Sequence, residues 1–334
     1  MESITKTPIR KIGVVVVWMG KLPTYFPTWV RSLEKNDAFD FFLFTDQSVD
    51  TNPSGTPAIP DNLTIVRMSF SEVRALVAAK LSLRVNMPHA YKFCDFKPTY
   101  GEVFSDYLAG YEFWGCCDID LLFGNLKKFI TDDLLLSNKK IFSRGHLTLY
   151  KNEPAINAAY RSSKIINYKR ALESQDYCLF DEWHGVHRIF EELGIGQYNK
   201  DVMGDIKALS ARLVCTNIRN YNPQIFVWEQ GDVKQYFIEE GKLKSIELAY
   251  IHFQKRRISL PDPNVYSSKA IILNPRALLP YNEPVTIATV KEYDRSDYQH
   301  YLGSQVKRIK KRLASFNKET PSFNKTLLES NAPL

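Results

Sequence analysis

The chain has 334 residues, of which 44% are hydrophobic and 24% charged, and it carries a formal net charge of +7. This composition excludes a disordered or collagen-like chain and is typical of a globular protein with one large or two small cores. The five cysteines include no Cys-x-x-Cys pair, which argues against a disulfide framework and indicates a reducing compartment.

The N-terminal residues predict neither a signal peptide nor a membrane-spanning helix. Residues 1–11 are polar and basic, and the apolar run from Ile12 to Met19 is too short to span a bilayer. We therefore expect a cytoplasmic protein.

Residues 12–83 predict an alternation of strands and helices. The predicted strands are 12–19, 39–46 and 63–70, and the predicted helices are 25–35 and 71–83, the second with Ser71 as its cap. This order is typical of an α/β fold with a Rossmann-like, mostly parallel central sheet flanked by helices. Ligands of such sheets bind at the carboxyl ends of the strands, where Gly20 and Asp46 fall.

Two acids follow the next predicted strand. Residues 113–117 form a buried run, and Asp118 and Asp120 lie between it and the apolar residues 121–123. Because residues i and i+2 of an extended segment point the same way, both carboxylates face one spot. Burying two like charges without a partner is costly, so the pattern indicates either a bound cation or an opening at the edge of the sheet.

The pattern becomes mixed after Thr131. Residues 141–152 predict a strand with a polar interruption, residues 153–174 a largely helical segment, and the residues up to about 280 loops and short strands. We expect one catalytic domain over residues 1–283, followed by a tail over residues 284–334. Within the domain, a nucleotide-binding half at about 10–130 would precede an acceptor-binding half at about 131–283.

The tail contains a basic stretch, QVKRIKKRLASFNK, at residues 305–318. It has six basic residues and no acids, and Val306, Ile309, Leu313 and Phe316 recur at helical spacing. This pattern predicts an amphipathic helix that either lies on an anionic membrane surface or packs on its own domain. The first alternative would make the protein peripheral on the inner face of the cell membrane. A nucleic-acid arm is a weaker third alternative, and we expect no nucleic-acid partner.

Five segments of the sequence together carry a resemblance to a known family. Their combination in this order is more specific for that family than any single segment. They are YKFCDFKPTYGEVF (91–104), YEFWGCCDIDLLFGNL (111–126), GHLTLYKN (145–152), FDEWHG (180–185) and IHFQKRR (251–257). Together they resemble the GT-A fold glycosyltransferases, which contain a DxD motif, of bacterial capsule and lipopolysaccharide biosynthesis. The resemblance covers residues 12–257 and implies a metal-dependent hexosyltransferase. It implies a nucleotide-sugar donor, by expectation a UDP-sugar, and a glycan or lipid-linked oligosaccharide as acceptor.

The resemblance also implies a metal site. Asp118 and Asp120 would hold Mn²⁺ or Mg²⁺, which neutralises the diphosphate of the donor. His252 follows the apolar run 248–251 and is expected as the third ligand. A purely structural histidine is the alternative.

Several charged residues are expected to contact the donor. Lys255, Arg256 and Arg257 follow the expected metal ligand and suit a diphosphate. Asp95 and Lys97 lie where the resemblance implies donor contacts, with a surface ion pair as the alternative. The expected donor-binding residues are Asp46, Lys92, Asp95, Lys97, Asp118, Lys255 and Arg256.

The segment FDEWHG supplies acids for catalysis. Inversion by single displacement needs a base for the proton of the acceptor hydroxyl, and Asp181 and Glu182 lie in apolar surroundings that raise a carboxyl pKa. We expect both to be catalytic. The expected acceptor-binding residues are His146, Trp183 and His184, with a satisfied core histidine as the alternative for His146.

Three other functions remain open from the sequence. A retaining transferase would use the acids of FDEWHG to bind the donor rather than as a base. A sugar nucleotidyltransferase would share the carboxylate-bound metal, but it would normally have a glycine-rich loop after the first strand, and WMGKLPTYFP is not one. A noncatalytic module that binds membrane or RNA through the tail would leave Asp118, Asp120 and His252 without a purpose.

Overall fold

The computed structural model describes residues 12–49, 58–254, 256, 258, 262–299, 301–303, 305–306 and 309. The strands are β1 Ile12–Trp18, β2 Phe39–Thr45, β3 Leu63–Arg67, β4 Phe113–Cys117, β5 Leu121–Phe123, β6 Lys140–Arg144, β7 Leu147–Lys151, β8 Gln197–Tyr198, β9 Gly204–Asp205, β10 Gln224–Glu229, β11 Asp232–Glu239, β12 Lys242–Leu248, β13 Tyr250–His252, β14 Ala270–Leu273 and β15 Leu278–Tyr281.

The α-helices up to residue 293 are α1 Phe26–Leu33, α2 Phe70–Leu81, α3 Phe93–Phe96, α4 Tyr100–Val103, α5 Asp132–Ser137, α6 Pro154–Asn157, α7 Tyr168–Glu173, α8 Arg188–Glu192 and α9 Ile287–Tyr293. Short 3₁₀ turns lie at Ala90–Lys92, Lys97–Thr99, Leu126–Lys128, Ala159–Arg161 and Pro263–Tyr266, and a π turn lies at Trp183–His187.

The central sheet has seven strands in the order β3-β2-β1-β4-β7-β6-β8. The pairs β1–β2, β2–β3, β1–β4 and β6–β8 are parallel, whereas β7 is antiparallel to both β4 and β6. The predicted α/β class, with a mostly parallel central sheet flanked by helices, is therefore confirmed.

Alternate residues of the central strands pack on opposite faces of this sheet, as the pleat of a strand requires. Val15 and Trp114 pack on one face, with Val73 of α2. Val14 packs on the other face, with Trp29 of α1. Each face is thus covered by helices, which explains why β1 is an unbroken apolar run.

The predicted start of α2 is wrong. Ser69, not Ser71, caps the helix: its Oγ accepts the Glu72 N–H at 3.2 Å, and its own N–H donates to Glu72 Oε2 at 2.7 Å. This reciprocal capping box starts the helix at Phe70. The strand predicted at 63–70 consequently ends at Arg67.

The single strand predicted at 141–152 is also wrong. The segment forms the antiparallel strands β6 and β7, and Gly145 and His146 form the turn that joins them. The polar interruption in the sequence is therefore a change of chain direction.

The region predicted as loops and short strands up to residue 280 contains a second sheet. It is antiparallel, with five strands in the order β12-β11-β10-β14-β15. Three alternate residues of β11 are buried, namely Val233, Gln235 and Phe237. Because polar Gln235 occupies one of these positions, the apolar alternation that predicts a strand is interrupted.

A third sheet has three short strands in the order β5-β13-β9. It joins β5, which directly follows the Asp118–Asp120 segment, to β13 and β9 from later in the chain. β13 is antiparallel to β5 and parallel to β9, so His252 lies opposite Leu121 on one side and Asp205 on the other. The indole N–H of Trp228 in β10 donates to Phe123 O at 3.0 Å and ties the second sheet to β5.

Only part of the basic tail lies among the described residues. Residues 305, 306 and 309 are helical, and Val306 and Ile309 are exposed. Leu313, Phe316 and the basic residues of 307–318 lie outside the described residues. Within the described part of the chain, no helix has both the length and the apolar character required to cross a membrane.

Candidate active site

A cavity of about 920 Å³ lies at the ends of β1, β4, β9 and β13. Its lining includes the predicted residues Lys97, Asp118, Asp120, His146, Asp181, Glu182, His252 and Arg256. Segments far apart in sequence, from the central sheet, the third sheet and the connection between β14 and β15, thus contribute side chains to one space. Its position agrees with the tendency of such sheets to bind ligands beyond the carboxyl ends of their strands.

The third sheet places three of the acidic and imidazole groups together. Asp120 immediately precedes β5, and Leu121 is paired with His252, which is in turn paired with Asp205. The Phe253 N–H donates to Asp120 O at 2.9 Å and continues this register past the end of the strand. Backbone pairing therefore brings Asp120, His252 and Asp205 side by side.

His252 lies between two carboxylates. Its Nδ1 is 2.9 Å from Asp205 Oδ1, and its Nε2 is 3.5 Å from Asp120 Oδ1. One ligand atom each from Asp118, Asp120 and His252 lie within 4.8 Å of one another, as do those of His146, Asp205 and His252. Two carboxylates and an imidazole form a donor set that suits Mn²⁺ and, less well, Mg²⁺.

The electrostatics of this cluster favour a positive charge. Burial alone would lower the pKa of His252, but its hydrogen bonds to Asp120 and Asp205 raise that pKa to about 10. Burial raises the pKa of Asp120, and the hydrogen bond with His252 opposes this rise. A protonated imidazole thus balances the acids, and a divalent cation would supply the same balance, so these residues fit the predicted metal.

Lys97 provides a second positive charge beside Asp118. Its Nζ donates to Asp118 Oδ1 at 2.6 Å and to Gly145 O at 2.8 Å, and it lies 3.3 Å from Asp181 Oδ2. Burial alone would lower the pKa of Lys97, but the neighbouring acids, Asp118 foremost, raise it well above its usual value. The buried ammonium therefore stays charged and links the two acidic segments.

Asp181 is buried at the cavity wall. The Tyr177 hydroxyl donates to its Oδ1 at 3.1 Å. Burial raises the pKa of Asp181 to about 8, with Lys97 opposing the rise and Glu182 adding to it. A Cβ atom on Gly145 would lie 2.3 Å from Asp181 Oδ2, so glycine at this position allows Asp181 to approach Lys97.

Lys92 and Asp95 form a fully buried ion pair outside the cavity lining. Lys92 Nζ donates to Asp95 Oδ2 at 2.7 Å and to the carbonyl oxygens of Ala171 and Asp176. Asp95 accepts the backbone N–H groups of Cys178 and Phe180, both at 2.8 Å. The pair thus fixes the backbone directly before Asp181, and its predicted contact with a donor remains a prediction.

The other predicted residues lie in different surroundings. Asp46 accepts the Gly20 N–H at 2.8 Å and so ties the loop after β1. Trp183 and His184 are exposed outside the cavity lining, and the Trp183 ring stacks on His187. None of these three lines the cavity, and their predicted contacts with donor or acceptor remain predictions.

The basic segment after His252 is described only in part. Arg256 lines the cavity, but its guanidinium donates to the carbonyl oxygens of Lys207, Ser210 and Pro275. Lys255 and Arg257 lie outside the described residues.

His146 occupies the wall beside His252. It is buried, its Nδ1 lies 3.0 Å from the Tyr250 hydroxyl oxygen, and its ring centroid is 4.3 Å from that of His252. Burial lowers the pKa of His146 well below its usual value, and the positive charge of His252 lowers it further. His146 is therefore neutral.

Sequence reasoning missed several residues that line the cavity, namely Tyr25, Tyr91, Arg144, Tyr177, Asp205, Gln254 and Arg276. Asp205 is the most consequential because it contacts His252. It lies in a strand of two residues that has no recognisable hydrophobic pattern. The sequence offered only a weak indication for Tyr177, namely its position four residues before the acid Asp181.

Residues 14–282 match the model of a family of unknown function, DUF6625, and the chain belongs to this family. No curated protein matches the sequence.

Several solved structures show slight similarity. The galactosyltransferase LgtC, in complex with donor and acceptor sugar analogues, is 12% identical with a TM-score of 0.33, covering 58% of this chain and 75% of that one. The apo glycosyltransferase GlyE of Streptococcus pneumoniae TIGR4 is 13% identical with a TM-score of 0.33, covering 57% and 45%. Apo mouse xyloside xylosyltransferase 1 is 11% identical with a TM-score of 0.34, covering 58% and 86%. Similarities this slight do not assign a function to the chain.

If Asp118, Asp120 and His252 bind a cation, the affinity for Mn²⁺ should rise with pH. His252 has a pKa of about 10 and holds a proton that the metal must displace. The association constant should therefore increase about tenfold per pH unit between about pH 6 and 8. Electron paramagnetic resonance of free Mn²⁺ measures the affinity, and an affinity independent of pH would contradict the assignment.

Lys92→Met should destabilise the protein strongly because it leaves Asp95 buried without its counter-ion. We expect the free energy of unfolding to fall by about 3–5 kcal/mol in urea denaturation. Lys80→Met is the matched control, since Lys80 pairs at 2.9 Å with the exposed Asp106, and it should cost at most about 1 kcal/mol. Equal decreases in the free energy of unfolding of the two variants would show that the buried Lys92–Asp95 pair stabilises the protein no more than an exposed pair does.

Proposed function

We propose that the protein is a metal-dependent glycosyltransferase that moves a hexosyl group from a nucleotide sugar to a glycan acceptor. The observation that carries the proposal is the arrangement around one cavity. Asp118, Asp120 and His252 converge at one place, and Lys97 connects that place to the buried acid Asp181. A cation site beside a buried carboxylate is what diphosphate departure and proton removal require together.

The cation would be held by Asp118, Asp120 and His252. When bound, it supplies positive charge that stabilises the departing diphosphate. Carboxylates suit Mg²⁺ and Mn²⁺ alike, but an imidazole ligand suits a transition metal better, so we expect Mn²⁺ to be preferred. Lys97 adds a fixed positive charge at Asp118 that needs no reorganisation during the reaction.

Asp181 is our choice for the base. Its carboxylate would take the proton of the acceptor hydroxyl while that oxygen bonds to the anomeric carbon and the bond from this carbon to the diphosphate oxygen breaks. A pKa of about 8 gives the carboxylate useful basicity near neutral pH, and the ionised fraction grows as pH rises toward that value. This single displacement inverts the anomeric configuration. Glu182 also lines the cavity, but Asp181 is the stronger candidate for the base because it is buried.

Aromatic rings suit the acceptor side of the cavity. Tyr91 and Tyr177 both line it, and their ring centroids are 4.9 Å apart in an edge-to-face arrangement. Tyr177 also donates to Asp181, so an acceptor sugar bound against these rings would place a hydroxyl close to the base. His146 lines the same cavity, and Trp183 and His184 would contact a longer glycan beyond it.

The resemblance to transferases of bacterial capsule and lipopolysaccharide synthesis supports a surface polysaccharide or a lipid-linked oligosaccharide as the acceptor. A cytoplasmic location, with the tail at residues 305–318 resting on the inner face of the membrane, would place the enzyme where such an acceptor is exposed.

A panel of nucleotide sugars, assayed for release of UDP or GDP with and without Mn²⁺, tests the proposal. Asp120→Ala and His252→Ala should each abolish the Mn²⁺-dependent release because each removes a metal ligand. Asp106→Ala, which changes a surface acid, should leave it intact. Release that is unaffected by chelation of the metal would contradict metal dependence. Release of pyrophosphate from a nucleoside triphosphate and a sugar phosphate would instead indicate a nucleotidyltransferase.

Asp181→Asn should lower transfer by roughly 10²- to 10⁴-fold, the usual contribution of a positioned base, while the KM for the donor changes little. Glu182→Gln is the matched control and should keep most of the activity. Transfer rates at several pH values and the anomeric configuration of the product, determined by NMR, complete the test. Retention of the donor's anomeric configuration in the product would contradict the inverting mechanism and favour the retaining alternative.

A further inference from the structure

We propose that Asp205 is a positioning residue that holds His252 in the orientation required to bind the cation. This inference rests on the proposed metal site, but it concerns a residue that lies 85 positions after Asp120 and contacts the metal ligands only through His252. Asp205 would keep the proton of the imidazole on Nδ1 and leave Nε2 directed at Asp118 and Asp120.

The contact between Asp205 and His252 has the geometry of such a pair. Asp205 Oδ1 lies 2.9 Å from His252 Nδ1, while the other ring nitrogen, Nε2, lies 3.5 Å from Asp120 Oδ1. A carboxylate accepts a hydrogen bond from N–H, so it selects the tautomer with the proton on Nδ1. Metal-binding histidines commonly have such a carboxylate at the second nitrogen, where it orients the ring and makes it a better ligand.

The carboxylate of Asp205 is itself fixed. Its Oδ1 also accepts the Gln254 side-chain N–H at 2.7 Å, and its Oδ2 accepts the Thr216 hydroxyl at 2.8 Å. The Asp205 backbone N–H donates to Asn217 Oδ1 at 2.9 Å. Donors on both oxygens leave the group little freedom to turn, so the direction of the His252 ring is set by a rigid partner.

The same contacts argue against Asp205 as a metal ligand. A cation on Asp205 would have to displace the hydrogen bonds from Gln254 and Thr216. The side chain of Asp205 is 8% exposed, whereas those of Asp120 and Asp118 are 20% and 32% exposed. The accessible oxygens thus belong to Asp118 and Asp120, and Asp205 lies behind the imidazole.

His146 restrains the ring from its face. The two imidazole rings are tilted by 35° with centroids 4.3 Å apart, and His146 is anchored at Nδ1 by the Tyr250 hydroxyl. Tyr250 and His252 lie on the same strand, β13. The His146 ring that packs on His252 is therefore held by a residue of the strand to which His252 belongs. A carboxylate at one edge and a ring on one face together restrict rotation of His252.

Asp205→Asn tests the inference through binding of Mn²⁺ alone, measured by electron paramagnetic resonance. The amide either accepts the Nδ1 proton more weakly or turns its NH₂ toward the ring and moves the imidazole proton to Nε2. We expect the affinity for Mn²⁺ to fall about 10- to 100-fold. In Asp120→Asn, which changes a metal ligand, the affinity for Mn²⁺ should fall further, to the point where binding can no longer be measured.

Thr216→Val is the matched control. It removes a hydrogen bond from Asp205 Oδ2 but leaves the contact with His252 in place. We expect it to lower thermal stability in the same way as Asp205→Asn while keeping the Mn²⁺ affinity of the unchanged protein. An equal loss of affinity in Thr216→Val would show that Asp205 acts only by stabilising the backbone around β9, and it would overturn the inference.

Two further results would also overturn it. Mn²⁺ affinity in Asp205→Asn equal to that of the unchanged protein would show that Asp205 does not orient the ligand. A loss as complete as that of Asp120→Asn would show that Asp205 binds the ion directly.

A measurement on the unchanged protein avoids dependence on the folding of any variant. With ¹¹³Cd²⁺ in place of Mn²⁺ and ¹⁵N-labelled histidine, NMR should show cadmium coupled to Nε2 of His252 and a proton on Nδ1. Coupling to Nδ1 would overturn the inference. Mn²⁺ binding that depends on Asp205 without any sugar transfer would refute the proposed function alone, whereas Mn²⁺-dependent transfer with an unchanged Mn²⁺ affinity in Asp205→Asn would refute the inference alone.

Discussion

Three carboxylates surround one imidazole in a largely buried part of this protein, and the rest of the site depends on how their charge is balanced. Asp120 and Asp205 contact opposite nitrogens of His252, and Asp118 lies beside them. Without a positive charge at this point the repulsion between the acids would be severe, because burial reduces the screening by water. The imidazole carries that charge as a proton, and the same electrostatic demand makes the cluster receptive to a divalent cation.

The fold satisfies this demand by backbone pairing. β5, β13 and β9 are each only two or three residues long, yet their register sets Asp120, His252 and Asp205 side by side. Each of the two larger sheets shares a core with these short strands: Leu122 and Ile251 pack with the second sheet, and Phe123 and Tyr250 pack with the central sheet. Buried lysines extend the same principle: Lys97 connects Asp118 to Asp181, and Lys92, paired with Asp95, fixes the backbone that leads to Asp181. Charge pairing thus runs from the cation site to the candidate base.

The sequence predicts the parts of this arrangement that depend on local pattern. The apolar runs at β1, β2 and β4 identify a parallel sheet, and the strand-end position of Asp118 and Asp120 identifies the edge where a ligand binds. Asp205 was not predicted because its strand has two residues and owes its position to pairing with β13. Asp95 was expected at the donor or in a surface ion pair with Lys97, and Lys92 was expected at the donor, because nothing local indicates that Lys92 and Asp95 form a buried pair. The second sheet was missed in part because buried Gln235, which bonds to Gln224, interrupts the apolar alternation of β11.

The central claim is that Asp118, Asp120 and His252 together bind a divalent cation inside the cavity. Anomalous X-ray diffraction at the manganese absorption edge, from crystals soaked with Mn²⁺ and UDP, tests it most directly. The account predicts one strong anomalous peak, with oxygens of Asp118 and Asp120 and Nε2 of His252 at bonding distance and the diphosphate on its cavity side. A peak bound elsewhere in the protein, or UDP bound in the cavity with no anomalous peak near these three side chains, would contradict it.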